Sequence, residues 1–193
     1  MSHHFAPQTT LRAPDGRRKY LTPDERTRFI AQAWTWPDRG VGALCLLLAY
    51  TGCRISEALA TTPSSLDPGE GCVAFLSLKK RGRVAVRAVP VPAALLERLQ
   101  ACTAIGGGGR LWPMARSTAW QKVRQVMEAA AIPRGLHATP KGLRHGFGIH
   151  AVRSGVPLNL TQRWLGHASI ATTAIYADAL GTEERELAAR MWD

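Results

Sequence analysis

The chain is short of acid. Its 193 residues hold 14 Asp and Glu against 25 Lys and Arg, a formal charge of +11. The bases are spread through the sequence and not gathered at one end, which predicts a folded basic face and a polyanionic partner. Long apolar runs are also missing. The most apolar stretch, Val41 to Tyr50, is about half the length a membrane helix needs. The start of the chain has no apolar leader segment, so a cytoplasmic protein with no membrane partner is expected. The four cysteines, Cys45, Cys53, Cys72 and Cys102, show no CxxC spacing, which excludes the usual zinc and redox motifs. Cys45 and Cys102 sit in apolar helical patterns and read as small core residues. His3 and His4 are adjacent by chance composition and not a metal site. No internal repeat is present. What remains is ordinary globular material, 46% hydrophobic, of a length suited to one domain.

Residues 1–20 read as a basic flexible tail. They include Pro14-Asp15-Gly16 and Arg17-Arg18-Lys19, and have few apolar side chains to bury. The segment fits either a solubilising arm or one that settles along a phosphate backbone. Thr22-Pro23-Asp24-Glu25 is a helix start, with Thr22 as cap and Glu25 closing a capping box. Val41 to Tyr50 is apolar all round and predicts a central buried helix. Gly52 breaks it, and a short helix restarts over Arg54 to Ala60. Cys72 to Leu78 and Val84 to Val91 are rich in β-formers and predict two strands. Lys79-Lys80-Arg81-Gly82-Arg83 between them reads as a hairpin tip. Pro92 to Ala104 is an amphipathic helix with Leu95, Leu96, Leu99 and Cys102 inward. Ser117 is expected to cap a further helix with Trp120, Val123, Val126 and Met127 on its apolar face. The fold class is mainly α with a small antiparallel β-hairpin or sheet.

The informative stretch runs from Thr139 to Asp178, TPKGLRHGFGIHAVRSGVPLNLTQRWLGHASIATTAIYAD. Thr139-Pro140 starts a helix, and Lys141 and Arg144 share a face in its first turn, where the helix dipole favours a phosphate. His145 and His150 follow on the same helix and read as packing or surface residues. His167 lies in Leu165-Gly166-His167, and Tyr176 comes nine residues later. A tyrosine is a poor nucleophile until activated. Fixed cations beside it suit the charge that develops on a phosphoryl group. Upstream, Arg54 and Glu57 in TGCRISEAL are three apart. An isolated RxxE is ordinarily a surface ion pair, but this one directly follows a buried helix that would fix the arginine.

These pieces, in this order, resemble the catalytic domain of the tyrosine recombinases, or phage integrases. The likeness covers Leu21 to Asp178, with residues 179–193 as a further C-terminal helix. It implies a site-specific DNA recombinase that cleaves and rejoins duplex DNA through a 3′-phosphotyrosine, for integration, excision, inversion or resolution. It implies that Tyr176 is the nucleophile and that Arg54, Lys141, Arg144 and His167 hold the phosphate. Glu57 would brace the site. The family places a catalytic lysine at the end of the first strand, which points to Lys79, with Lys80 as the alternative, as acid for the leaving 5′ oxygen. Lys141 stands where the family usually has histidine and reads as an electrostatic donor. No cofactor, ATP or metal is implied.

The implied partners are duplex DNA, other copies of the chain in a tetramer on DNA, and an accessory or separate DNA-binding protein. Fewer than about two dozen residues precede the first helix, too few for the family's usual second domain. The implied location is the cytoplasm, on the nucleoid. The acidic end, Asp178 to Asp193, carries Leu187, Met191 and Trp192 as an apolar strip suited to a neighbouring subunit. Two other readings fit the same residues. One is a non-catalytic DNA-binding or architectural protein on this fold. The other is a relaxing enzyme of the type IB topoisomerase kind.

Overall fold

The computed structural model describes residues 10–78, 84–103 and 109–177. The hairpin tip and the C-terminal segment from residue 178 onward lie outside them. The described elements are α1 (Pro23–Trp34), α2 (Arg39–Thr51), α3 (Ile55–Leu59), β1 (Leu66–Asp67), β2 (Cys72–Leu78), β3 (Val84–Pro90), α4 (Ala93–Thr103), α5 (Arg116–Ala129), α6 (Pro140–Arg153), α7 (Leu158–Leu165) and α8 (Ala171–Ala174), with a 3₁₀ turn at Pro63–Ser65. The mainly helical class with a small antiparallel sheet is what the periodicities predicted.

The fold is built around α2. Its residues from Val41 to Ala49 are all buried, which explains why that run is apolar on every side. Asp38 caps its start by accepting from Val41 N–H at 3.0 Å. Helices α1, α4, α5 and α6 pack round it. Leu95, Leu96, Leu99 and Cys102 of α4 enter this core, as do Val123, Val126 and Met127 of α5. Trp120 does not follow them. It is 39% exposed, and the Arg124 guanidinium stacks on it at 5.2 Å. The apolar face of α5 is therefore narrower than its sequence suggests. Its start is also displaced, with Ala115 and not Ser117 at the cap and no side-chain bond there.

Gly52 ends α2 in the left-handed conformation, φ 60°. A Cβ there would also meet Phe147 at 2.5 Å and Leu165 at 2.9 Å. Only glycine allows both the turn and this close approach. The chain can then drop directly into α3, so Arg54 starts a helix at the edge of the core. The sheet has the order β1-β2-β3, all antiparallel, and Phe75 pairs with Arg87 across it. The two-residue β1 is too short for periodicity to announce.

A second, smaller core joins Phe147, Ile149 and Val152 of α6 to Leu165 and Tyr176. Leu11 and Tyr20 pack on it, so Thr10–Tyr20 is not a free arm. An Arg12–Arg18 bridge closes it into a turn. The Arg18 guanidinium clasps both oxygens of the Glu25 carboxylate and contacts His137 Nε2 at 3.2 Å. Glu25 also closes the predicted capping box, accepting from Thr22 N–H at 2.9 Å. It is 5% exposed. Burial works to raise its carboxyl, but the Arg18 hydrogen bonds, the Thr22 N–H and the Arg18 charge outweigh it and hold it below the usual range.

One carboxylate thus serves a helix start and the anchor of the N-terminal turn. Glu25→Ala should cost about 3 kcal/mol, because it strips a buried partner and leaves its cation unpaired. Thr22→Ala, which removes only a cap, should cost about 1 kcal/mol. Urea unfolding of the two variants side by side checks this order.

Candidate active site

Four of the described residues that the sequence singled out, Arg54, Lys141, Arg144 and His167, line one cavity of about 850 Å³, and Tyr176 joins them there. Lys19 and Arg116 line it too. The described lining therefore carries five cationic side chains and no carboxylate. The cavity opens at the α6 N-terminus, where Thr139 caps the helix by accepting from Gly142 N–H at 3.1 Å. This sets the helix dipole, Lys141 and Arg144 toward the same space, a ready anion site. Lys79 and Lys80 lie outside the described residues. Strand β2 ends at Leu78, immediately before them.

Arg144 is 8% exposed, and its position is fixed by two helix ends. One terminal nitrogen donates to the Gly52 carbonyl at 2.8 Å and the other to the Leu165 carbonyl at 2.7 Å. Both carbonyls sit at helix C-termini, which lack intrahelical donors and carry negative dipole charge. Burial, then the neighbouring Arg54 charge, push Arg144 down to about 10. It remains cationic at neutral pH.

Arg54 reaches further out. Its guanidinium donates to Glu57 Oε1 at 2.9 Å, and its backbone N–H donates to Glu57 Oε2 at 2.6 Å. Its side chain stays 47% exposed, while that of Glu57 is 9% exposed. Glu57 also receives a second arginine, Arg87 from β3, through two bonds at 3.0 and 2.7 Å. Burial works to raise the Glu57 carboxyl. The Arg87 hydrogen bond, the Arg54 N–H and the two guanidinium charges overcome it and lower it below its ordinary value.

Gly166 stops α7 in the left-handed conformation, and His167 follows. His167 Nδ1 shares a hydrogen bond of 2.9 Å with Thr173 Oγ1. Its ring stacks on Tyr176, with centroids 6.3 Å apart and planes 18° from parallel. Tyr176 is 1% exposed. Its hydroxyl shares a 3.1 Å hydrogen bond with His145 Nδ1. The ring lies flat on α6, where a Cβ at Gly148 would come within 2.6 Å of it. Burial pushes the phenol up to about 12, against the pull of Arg144.

Sequence reasoning passed over two of these residues. The sequence pattern marks His145 as a packing or surface histidine; it is buried, and it shares a hydrogen bond with the tyrosine hydroxyl. Its adjacency to Arg144 gave no hint, because a contact 31 residues along the chain depends on how α7 and α8 fold back. Arg87 was read only as part of a strand. A signal was present: it lies two residues from Val89, on the inward face, while Val86 beside it is 65% exposed. A charge on the inward register of a strand marks a partner waiting inside.

Comparisons with known proteins agree with this geometry. Residues 19–183 match the phage integrase family. The chain belongs to that family. It is 30% identical over 168 residues to tyrosine recombinase XerD of Neisseria meningitidis serogroup B (strain ATCC BAA-335 / MC58), covering 81% of this chain and 57% of the relative. It is 33% identical over 187 residues to tyrosine recombinase XerC of Rhodospirillum centenum (strain ATCC 51521 / SW), covering 87% of this chain and 53% of the relative. Among solved structures it resembles XerA recombinase, with TM-score 0.73 and 27% identity over 89% of this chain and 64% of that one. It also resembles the catalytic domain of bacteriophage HP1 integrase, with TM-score 0.65 and 25% identity over 89% of this chain and 93% of that one. The chain thus spans just over half the length of these curated relatives and nearly all of the HP1 catalytic domain.

The histidines make stability depend on pH. Burial first, then the charges of Lys141, Arg144 and Lys19, push His145 down from 6.5 to about 4. Burial first, then Arg144 and Arg54, push His167 down to about 3. In the unfolded chain both bind protons near pH 6.5. Between about pH 6.5 and 4 the unfolded state therefore holds more protons, and stability rises with pH. Melting temperature should fall as the pH drops through that window. His145→Gln should flatten the dependence, by up to about 1.4 kcal/mol per pH unit. Gly148→Ala should destabilise by about 1–3 kcal/mol at any pH by overpacking against Tyr176, read by urea unfolding.

Proposed function

We propose that this chain is the strand-cleaving and strand-joining unit of a site-specific DNA recombinase, with Tyr176 as its nucleophile. The observation that carries the reading is the convergence of Arg54, Lys141, Arg144, His167 and Tyr176 on one cationic cavity. The relatives named as tyrosine recombinases support it. The partner is duplex DNA, and the substrate atom is a backbone phosphorus. Tyr176 Oη gives up its proton and bonds to that phosphorus as the bond to the 5′ oxygen breaks, leaving a 3′-phosphotyrosine; the proton lost by the phenol and the one gained by the 5′ oxygen leave the proton count unchanged. The 5′ oxygen takes a proton and departs as a hydroxyl. A 5′ hydroxyl from another strand then reverses the step, so the bond energy is conserved and no nucleotide cofactor is needed.

The geometry supports a role for each residue. Arg54, half-exposed and braced by Glu57, meets the phosphate. Arg144 and the α6 N-terminus supply fixed charge behind it, and Lys141 adds a donor from the helix's first turn. His167 is held neutral by its surroundings and offers a hydrogen bond to a non-bridging oxygen. Lys79, or Lys80 beside it, protonates the 5′ oxygen; this part of the reading rests on the family's pattern. The phenol is protonated at neutral pH. Its burial on His145 means that attack requires the hydroxyl to leave that contact and turn toward the phosphate.

Strand exchange between two duplexes needs four such sites, so we assign the chain to a tetramer on DNA, with the acidic segment from Asp178 to Asp193 as the contact between copies. The chain's location follows its substrate, on the nucleoid.

The test uses duplex DNA recovered from a random pool by binding to the wild-type protein, nicked near the bound centre so that cleavage releases a short strand. Wild-type protein should form a covalent adduct on a denaturing gel. Tyr176→Phe should bind equally and form none. Adduct from the Phe variant would assign the nucleophile elsewhere. Binding without any wild-type adduct would favour the non-catalytic DNA-binding reading. Affinity should fall by about 0.9 log units per contacted phosphate for each log unit of salt. Arg54→Ala should slow cleavage by about 100-fold or more while changing affinity little, because it removes one phosphate contact among several.

A further inference from the structure

We propose that Arg87 is a positioning residue of the cleavage reaction, acting through Glu57 and the C-terminal end of α7 to fix Arg54 and His167 around the phosphate site. The inference rests on the recombinase reading and adds a residue that reading does not use. Arg87 is 7% exposed and does not line the cavity, so it does not touch substrate. Its influence must pass through what it holds.

What it holds is specific. Its Nη1 donates to Glu57 Oε1 at 3.0 Å and its Nη2 to Glu57 Oε2 at 2.7 Å, while its Nε donates to the Trp164 carbonyl at 2.7 Å. The same two carboxylate oxygens accept from Arg54, Oε1 from the guanidinium and Oε2 from the backbone N–H. Each oxygen of Glu57 is thus shared between a buried arginine on β3 and the exposed arginine that faces the cavity. Without Arg87, Glu57 would keep only a half-exposed partner, and an ion pair of that kind holds geometry weakly. With it, the carboxylate is locked from behind by a planar fork, and Arg54 is aimed from a fixed base.

The third bond reaches the other side of the site. Trp164 lies in the last turn of α7, whose carbonyls have no intrahelical donors. Two residues on is Gly166, where a Cβ would come within 3.3 Å of the Arg87 guanidinium and its Cδ. His167 comes next. Arg87 therefore ties the strand, the Arg54 turn and the turn before His167 into one unit. Phase is set by Phe75, which pairs with Arg87 across the sheet and lies under its guanidinium at 4.9 Å.

A purely internal ion pair would need only charge balance. Here two guanidiniums share one carboxylate, so the cluster keeps a net positive charge directed at the cavity. A lysine at this position would keep the charge and lose the fork and the carbonyl bond together.

The experiment compares wild type, Arg87→Lys, Glu57→Gln and Arg87→Met/Glu57→Gln on the selected, nicked duplex. Single-turnover adduct formation and DNA affinity are measured separately, and thermal melts are taken for each protein. Arg87→Lys should form adduct about 100-fold more slowly, since misplacing a reacting group costs on that order. Its affinity should stay within about threefold, because no phosphate contact is lost. Wild-type cleavage by Arg87→Lys overturns the proposal, as does an equal loss of affinity and cleavage in a folded protein. If Arg87→Lys does not fold, the double variant decides, because it leaves no unpaired buried charge. Cleavage by the double variant matching Glu57→Gln shows that Arg87 acts through Glu57. A further loss of cleavage at unchanged affinity is the share carried through the Trp164 carbonyl, whereas wild-type cleavage by the double variant, or an equal loss of affinity and cleavage, overturns the proposal. Absence of adduct from the wild-type protein sinks the recombinase reading, and this inference with it, whereas an active wild type with an equally active Arg87→Lys sinks this inference alone.

Discussion

Two buried guanidiniums on backbone carbonyls hold this site together. Arg144 joins the C-terminal end of α2 to that of α7, through the Gly52 and Leu165 carbonyls. Arg87 takes the adjacent carbonyl, that of Trp164. Helix C-termini expose acceptors that no helical N–H can reach, and they carry partial negative charge. A guanidinium answers both needs with fixed, planar donors. The cost of burying these cations is met without a full set of carboxylates. Glu57 balances Arg87 and Arg54 between them, and Arg144 has no acidic hydrogen-bond partner among its described contacts. The site is therefore built with a surplus of positive charge, part of it buried behind a cavity that reaches solvent at Arg54.

Burial, and after it that surplus, set the protonation of the two histidines beside it. His145 and His167 are held neutral first by burial, and then because adding a proton would place another cation beside Arg144 and its cationic neighbours. Burial holds Tyr176 protonated, although Arg144 draws it the other way. In the proposed reaction, a phosphate entering the cavity reduces this positive surplus. It offsets the cations that depress the histidines, so their affinity for a proton rises when the substrate anion is in place. The same anion satisfies the exposed face of Arg54. The resting electrostatics are thus those of a site suited to negative charge, and they add to burial in the acid sensitivity predicted above.

Much of this was legible in the sequence, for local reasons. Thr22, Thr139, Gly52 and Gly166 mark helix ends through chemistry confined to a few residues, and each stands at the boundary it announced. The apolar run in α2 declared its own burial. The order of the boxes around Arg54, Arg144, His167 and Tyr176 was readable because each box carries its own signature. What escaped were pairings across the chain. His145 meets Tyr176 over a separation of 31 residues, and Arg87 meets Glu57 over 30. No periodicity records such a contact. The ordered turn over Thr10–Tyr20 escaped for the same reason, since its anchors, Glu25 and His137, lie on other elements. Trp120 escaped because an aromatic on a helix is counted as inward by pattern, while stacking against Arg124 lets it stay at the surface beside the cavity.

The placement of Tyr176 links folding to reactivity. Its ring is part of the smaller core with Phe147, Val152 and Leu165, and the bare backbone at Gly148 receives it. A tyrosine used as packing is not free in the resting protein, because leaving its seat uncovers apolar surface. It also cannot be misplaced at random, because the seat fits one ring. The helix just before it, Ala171–Ala174, is a single short turn with little internal stability of its own. Its position is set by the tyrosine below and by the Thr173 contact to His167. In the proposed reaction, bound DNA has to supply enough new contact to offset the apolar surface uncovered when the ring moves. A free phosphate ester in solution offers the cavity an anion but few contacts beyond it. On these grounds the proposed chemistry would be coupled to the duplex as a whole, and the burial of Tyr176 would keep its hydroxyl from a phosphodiester that brings no such contacts.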